Sequence, residues 1–207
     1  MIDLYMFATP NCWKASIALE EMGLPYTVHW TNIREGAQNT PEFRAISPIG
    51  KVPVIVDGPG DGGAAKVYGS PAILFYLAEK TGQLMPTGGA ARAEALEWTM
   101  FALSDIGMAF NGRNRFKFLL PEQDEYAVDN FQSEIERYLE LMNQRFADHQ
   151  YLLDDYSIAD IAAFPFMGGP RRDDELLARF PNVRRWADAI EARPAVKKGL
   201  RTEAEVV

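Results

Sequence analysis

Three short stretches of this chain carry residue types that could place chemistry at the ends of strands and the starts of helices. Thr9-Pro10-Asn11-Cys12 falls where an apolar run, Ile2 to Phe7, gives way to a helical period. The first turn of a helix leaves backbone N–H groups unpaired and gathers partial positive charge, so such a corner attracts anions or stabilises a thiolate. Val52-Pro53 leads into a second apolar run, and Ser70-Pro71 opens another helical period. Ser70 suits the N-cap there and Pro71 the N1 position, where a missing N–H does no harm. Cys12 is the single cysteine of 207 residues, and His29 and His149 have no partner motif and read as structural or solvated.

The elements that position these residues follow from periodicity. Ile2 to Phe7 reads as a buried strand. Ala15, Ala18, Leu19 and Met22 recur at three- and four-residue steps as one face of a helix closed by Gly23, and Tyr26 to Thr31 reads as a second strand. A short helix is expected around Pro41 to Ile46, then a hairpin: Val52 to Val56, a turn over Asp57 to Gly63, and Ala65 to Tyr68. The helix from Ser70 runs through Ile73, Leu74 and Leu77 to Gly82. Residues 1–82 thus form a βαβαββα unit, the thioredoxin-like order of an α/β sheet domain. Residues 83–91, rich in Gly, Pro and Thr, read as a linker, and 92–207 as an all-helical domain. There Ala93, Leu96, Met100, Phe101, Leu103, Ser104 and Gly107 trace one side of a long helix, and Phe131, Ile135, Tyr138, Leu139, Met142 and Phe146 trace another. Tyr156-Ser157-Ile158-Ala159-Asp160-Ile161 is a helix start, with Ser157 and Asp160 as a capping box and Tyr156 set to staple against Ile161. Pro165 shortens that helix, and a last amphipathic helix spans Pro181 to Ala192.

Composition excludes several function classes. With 47% apolar and 24% charged residues the chain is ordinary for a globular protein. A net charge of −8 opposes nucleic acid and anionic membrane as partners. One Cys and two His supply neither an intrachain disulfide nor a Cys-rich zinc site, so no metal is expected. No apolar run approaches the roughly 20 residues that cross a bilayer. The opening segment has an early acid and no basic run, unlike a secretory signal, so a cytoplasmic location is expected.

The strand-to-helix corner resembles the Cys-Pro-x-Cys of glutaredoxins with Thr9 in place of the nucleophilic cysteine, which excludes dithiol exchange within one chain. The thiol must come from elsewhere. Val52-Pro53 resembles the cis-proline corner of the thioredoxin superfamily, and Ser70-x-Ala72-Ile73 resembles a helix start of glutathione transferases. The Ser157–Asp160 capping box and Pro181-Asn182-Val183-x-x-Trp186 with Arg193-Pro194-Ala195 resemble that family's helical domain. Thr9-Pro10-Asn11, with Gln38, Pro41-Glu42-Phe43, Ser47-Pro48 and Lys51-Val52-Pro53, is most similar to the bacterial nu class, whose members act as glutathione-dependent disulfide-bond reductases and peroxidases.

This resemblance implies that glutathione, as co-substrate, brings the sulfur that Thr9 lacks. An unperturbed thiol of pKa about 8.5 is mostly protonated at neutral pH, and each unit of lowering needs about 1.4 kcal/mol of preferential thiolate stabilisation. The Thr9 hydroxyl and the Asn11 amide are the expected catalytic donors. The resemblance assigns the cysteinyl main chain to Val52 beside Pro53, the γ-glutamyl carboxylate to Ser70 and the adjacent amides, and the glycyl end or peptide backbone to Gln38 and Lys51. Glutathione or its disulfide, a small electrophile or disulfide, and a second copy of the chain are the implied partners. One departure stands out: the family usually carries Glu or Gln before the helix-opening Ser, and this chain has Gly69. Loss of that partner for a cation is expected to weaken binding by roughly 1 to 3 kcal/mol unless another carboxylate replaces it. Asp105, on the first long helix, is a candidate across a dimer interface.

Simpler readings stand beside these. Thr9 and Pro10 also make a plain helix start, Ser70 a plain cap, and Pro53 a plain turn. Cys12, near N3, has either a lowered pKa or the inert character of a buried thiol. Tyr5 lies within a strand and suits packing. Gly112 to Phe118 mixes three cations with two aromatics, and reads either as a lid over a second-substrate pocket, with Trp13 and Met108, or as an exposed loop with two apolar anchors. The sequence therefore points to a glutathione-dependent transferase or disulfide-bond oxidoreductase. The alternative is a noncatalytic binding protein that kept the fold and lost efficient glutathione binding.

Overall fold

The computed structural model describes residues 1–60 and 63–200. The chain divides into two compact units, one of Met1–Leu84 with the chain from Ala192 onward, the other Met85–Glu191.

The first unit is built on a four-stranded sheet of order β2-β1-β3-β4. β1 (Ile2–Met6) and β2 (Tyr26–Trp30) run parallel through the crossover helix α1 (Pro10–Glu21). After α2 (Pro41–Arg44) come β3 (Val54–Gly60), antiparallel to β1, and β4 (Gly63–Tyr68), antiparallel to β3, followed by α3 (Ser70–Thr81). This is the expected thioredoxin-like order. Leu4, Met6 and Ile55 are fully buried, and the pairing of Leu4 with Ile55 puts them on one face of the sheet. α1 and α3 pack on one another and bury Ala15, Ala18, Leu19, Ile73, Leu74 and Leu77. α3 is anchored to β3 by Asp57, which accepts from the Tyr76 hydroxyl at 2.8 Å and pairs with the Lys80 ammonium at 2.7 Å. Burial pushes the Asp57 carboxyl up, but those two partners outweigh it and hold it below the usual carboxylate range.

Three details differ from the sequence reading. β3 starts at Val54 rather than Val52, because proline has no N–H to give a ladder; the Val52-Pro53 bond is cis. It then runs on to Gly60 through residues read as turn, with a register shift between Asp57 and Gly60 that the neighbouring glycines accommodate. The Asp61-Gly62 part of that turn lies outside the described residues. Beyond the last expected helix, α10 (Pro194–Gly199) packs against α1. The Ser16 hydroxyl donates to the Gly199 carbonyl at 2.5 Å, and a Cβ on Gly199 would lie 2.7 Å from the Ile17 Cα. Ion pairs Glu20–Lys198 and Glu21–Arg193 flank this contact.

The second unit is helical. α4 (Gly89–Met100) continues through a π-helical segment, Phe101–Ile106, into α5 (Gly107–Asn114) and a second π-helical segment, Arg115–Leu119. α6 (Glu125–Asp148) buries Ile135, Leu139, Met142 and Phe146, the side the sequence marks. α7 (Ile158–Ala163) opens on the expected capping box and stops before Pro165; α8 (Asp174–Ala178) and α9 (Pro181–Glu191) follow. Asp160 is wholly buried and accepts from the Leu152 and Ser157 amides, the Ser157 hydroxyl and the Trp186 indole. Trp186 stacks on Phe146 with ring centroids 5.0 Å apart, so this carboxylate knits three elements together. On the first long helix the buried side is Ala95, Thr99, Ala102 and Ile106, whereas Leu96, Met100 and Ser104 of the stripe read from sequence are exposed. Among the described residues no helix is long and apolar enough to cross a membrane.

Candidate functional site

Strand register alone brings the expected site residues to one edge of the sheet. Met6 pairs with Trp30 at the C-terminal ends of the parallel strands, so Thr9 and Asn11 after β1, and Gln38 after β2, leave from the same edge. Tyr5 pairs with Val54 and Val54 with Tyr68, so Val52 just before β3 and Ser70 just after β4 sit at that edge too. Ligands in α/β sheets bind beyond the carboxyl ends of the parallel strands.

At the start of α1, Thr9 is extended (φ −136°, ψ 152°) and is the N-cap; its hydroxyl accepts from the Cys12 N–H at 3.4 Å. That bond uses the oxygen and leaves the hydroxyl proton without an acceptor among the described residues. Pro10 occupies N1 and needs no acceptor. Neither the Asn11 N–H nor its half-buried side-chain amide has a partner among the described residues. Three donors of one helix terminus are therefore free: the Thr9 hydroxyl, the Asn11 amide and the Asn11 main chain.

The Val52-Pro53 corner is held from below. Buried Ser47 donates to the Lys51 carbonyl at 2.9 Å and accepts the Lys51 N–H at 3.2 Å, closing a tight loop. Gly50, at φ +60°, leaves room for Arg44, whose guanidinium donates to the Pro48 carbonyl at 3.0 Å and to Asn39 at 3.1 Å. With the loop so fixed, the N–H and C=O of Val52 make no hydrogen bond among the described residues. An unpaired peptide at a sheet edge is what an extended ligand joins as an added strand.

The start of α3 corrects the expected cap by one residue. Gly69, not Ser70, is the N-cap, and Ser70 and Pro71 are the first two helical residues. Gly69 adopts φ +85°, ψ 130°, a backbone that side-chain-bearing residues rarely take, and its N–H donates to the Pro53 carbonyl at 3.0 Å. Ser70 is 5% exposed, and its hydroxyl has no partner among the described residues. The N–H groups of Ser70 and Ala72 have no acceptor either. The first turn of α3 contains no acidic side chain.

Gln38 donates through Nε2 to the Ile33 carbonyl at 3.2 Å, while its Oε1 is buried without a partner. The Lys51 ammonium is exposed and unpaired among the described residues. Sequence reasoning missed Ser47, Gly50 and Arg44 as the supports of Val52; the Ser47-Pro48 and Gly50 breakers are the signal that marks them. It also missed Arg34, whose guanidinium lies 5.6 Å from the centroid of the Phe7 ring.

Other candidates resolve differently. Cys12 is fully buried, and burial pushes its thiol up to about 11 despite hydrogen bonds involving Phe7 and Thr9, so it is no nucleophile at neutral pH. Tyr5 stacks on His29 at 4.6 Å and packs edge-on against Phe43, while His29 meets Asp3 at 2.8 Å, so both serve the sheet face. Trp13 is fully buried and offers no lid surface. Arg113 of the basic segment is half-buried, donates to Gln132 at 2.8 Å and lies over Phe110, and Phe116 stacks on Phe131, so these residues anchor the segment within the helical unit. Asp105 accepts from the neighbouring Ser104 hydroxyl at 2.9 Å. Among the described residues no cluster of metal ligands forms.

Comparison with known proteins places this geometry in context. Residues 8–80 match the family profile described as "Glutathione S-transferase, N-terminal domain", and residues 95–194 match "Glutathione S-transferase, C-terminal domain". The chain is 37% identical over 203 residues to the disulfide-bond oxidoreductase YfcG of Escherichia coli, covering 97% of this chain and 94% of that protein. It is 32% identical over 212 residues to the disulfide-bond oxidoreductase YghU of the same organism, with 96% and 73% covered. A Burkholderia graminis glutathione transferase solved with two glutathione molecules per subunit is 42% identical, with a TM-score of 0.90 over 99% of this chain and 89% of that one. A Pseudomonas putida glutathione transferase solved with one glutathione disulfide per subunit is 35% identical, with a TM-score of 0.87 over 98% and 91%.

Proposed function

The chain belongs to the glutathione S-transferase family, and from that premise we propose that it is a glutathione-dependent enzyme, a disulfide-bond oxidoreductase or transferase, whose thiolate is held by Thr9 and Asn11. The observation that carries this reading is the set of groups unpaired among the described residues and gathered at one sheet edge: the Val52 peptide, the Ser70 hydroxyl, and the donors of Thr9 and Asn11. A strand-edge peptide, a free helix terminus and side-chain donors left open at one edge are what an extended peptide ligand would complete.

In this reading the cysteinyl main chain of glutathione pairs with Val52, the γ-glutamyl carboxylate meets Ser70 and the free amides of α3, and Gln38 and Lys51 serve the peptide backbone and glycyl carboxylate. The sulfur then lies against Thr9 and Asn11. Two charge-assisted hydrogen bonds lower a thiol pKa by one or two units, at about 1.4 kcal/mol per unit. The thiolate attacks one sulfur of a substrate disulfide, forming a mixed disulfide and expelling the other sulfur as thiolate. A second glutathione thiolate attacks the glutathione sulfur of that mixed disulfide, giving glutathione disulfide and the second product thiol. With a small electrophile the same thiolate attacks carbon and displaces the leaving group.

Two further parts of the reading are a second copy and a compartment. Leu96 (37% exposed), Met100 (45%) and Met108 (66%) form an open apolar stripe at four- and eight-residue steps, suited to burial in a homodimer. A single, buried cysteine and dependence on reduced glutathione fit the cytoplasm.

Thermal melting with millimolar glutathione or its disulfide, beside an assay of glutathione-dependent reduction of a small mixed disulfide, tests the proposal. A native-state ligand raises the melting temperature. Stabilisation with turnover is expected; stabilisation without turnover on disulfides or electrophiles indicates a noncatalytic binding protein, and no shift with either ligand overturns glutathione binding itself.

A further inference from the structure

The γ-glutamyl end of glutathione carries both a carboxylate and an ammonium, and the start of α3 provides for only one of them. For the anion there are the Ser70 hydroxyl, on a side chain 5% exposed and otherwise unpartnered, and the unpaired N–H groups of Ser70 and Ala72. For the cation there is nothing at the start of this element: the N-cap is Gly69, and the first turn contains no acidic side chain. Four other carboxylates of this unit are engaged elsewhere. Asp3 pairs with His29, Glu20 with Lys198, Glu21 with Arg193 and Asp57 with Lys80.

The missing acid is tied to backbone shape. At φ +85° an L residue is strained, although space itself is available, since a Cβ built on Gly69 would have only the Pro71 Cδ near it, at 3.9 Å. The same residue donates its N–H to Pro53, so its conformation sets where α3 begins relative to the Val52 peptide. Glycine gives this junction its geometry without strain and brings no carboxylate to it.

We propose that Gly69 makes this protein blind to the α-amino group of its thiol ligand. The site recognises a γ-linked carboxylate, cysteine and glycine, and accepts N-acylated or deaminated glutathione as well as glutathione itself. The inference rests on the binding mode proposed above, and goes beyond it in naming the part of the ligand that the protein does not read.

The test is titration calorimetry on the full-length protein with glutathione and with glutaryl-cysteinyl-glycine, which keeps the carboxylate and lacks only the amine. Less than a fivefold difference in Kd is expected. A preference of fivefold or more for glutathione overturns the inference and shows that an acid from elsewhere in the protein, or from a second copy, meets the ammonium. Failure of both ligands to bind overturns the binding mode and the inference with it. Ser70→Ala is expected to weaken both ligands by the same factor, because both carry the carboxylate it serves. Gly69→Glu is expected to open a gap of tenfold or more in favour of glutathione; should strain at φ +85° prevent that variant from folding, the wild-type comparison still decides the matter.

Discussion

The Gly69 N–H donates to the Pro53 carbonyl at 3.0 Å, so the first residue of the α3 cap is fastened to the proline of the cis peptide. Two segments 16 positions apart in sequence thereby offer an unpaired strand-like peptide and an unpaired helix terminus side by side. The pairing of Val54 with Tyr68 continues directly into this contact, so the hairpin that builds the sheet also sets the spacing of the two binding elements.

Thr9→Ala and Asn11→Ala are each expected to lower kcat/KM for disulfide reduction about ten- to a hundredfold, the loss of one charge-assisted hydrogen bond to the thiolate. The thiol pKa of bound glutathione, read from thiolate absorbance against pH, rises in both. Thr9→Ala also removes a helix cap worth about 1 kcal/mol, whereas Thr9→Ser keeps both the cap and the donor and should stay near wild type. Unchanged rates and thiol pKa in both alanine variants count against the assigned roles.

Ser47→Ala leaves the Lys51 N–H and C=O without the partner that buried Ser47 supplies, at a cost of about 1 kcal/mol in stability. Because this loop aims the Val52 peptide, glutathione affinity should fall as well, although Ser47 is not assigned to the ligand. Calorimetry on the folded variant separates this from a purely structural defect, which leaves Kd unchanged.

Cys12 should resist alkylation in the native protein at pH 8 and react fully after denaturation, because burial raises its thiol to about 11. Cys12→Ala should retain disulfide reductase turnover. Loss of turnover in a folded Cys12→Ala protein would assign the chemistry to the enzyme's own sulfur.

Asp160 yields a pH dependence of defined sign. Burial raises its carboxyl from 3.8 to about 6, against the opposing hydrogen bonds of Leu152, Trp186 and Ser157. Between those values the folded chain holds a proton that the unfolded chain has released, so this group's contribution is full below the lower value and is lost as pH rises through about 6. Asp160→Asn does not titrate there, and its amide N–H₂ faces groups that are themselves donors, so it is destabilised at every pH. Its deficit relative to wild type should shrink from pH 4 to pH 8 by on the order of 3 kcal/mol, measured by urea unfolding.

Replacing Leu96 and Met100 together by Glu places two charges in the open stripe of α4. Sedimentation should show wild type at twice the chain mass and the variant at one, with the melting of the helical unit little changed because neither side chain is buried. A wild-type monomer removes the dimer from the reading.

The sheet and its order were legible because each strand and helix of the first unit carries its own period and its own breakers, as Gly23 and Gly82 at the ends of α1 and α3 illustrate. Thr9, Asn11, Val52 and Ser70 were legible as candidates because two lie at a strand-to-helix junction and two beside prolines. The one-residue shift of the α3 cap was not, since Ser70 suits a cap as well as Gly69 does, and only the +85° backbone separates them. The stripe read from sequence as one side of the first long helix does not mark its packed side, for a related reason. A helix with small residues such as Ala95, Thr99 and Ala102 on its packed side and Leu96 and Met100 on its open side looks, by residue size alone, inside out. α10 escaped notice because Pro194 to Gly199 is too short to establish a period, and its place depends on a glycine meeting a distant helix.

That glycine has a bearing on how the polypeptide comes off the ribosome. The face of α1 around Ser16 and Ile17 is sealed by Gly199, which is translated only after the whole of the helical unit. The half of the protein that is synthesised first is therefore finished last. Until then α1 waits with an uncovered flank, while the helical half, wholly encoded between the two pieces, has every residue it needs to fold.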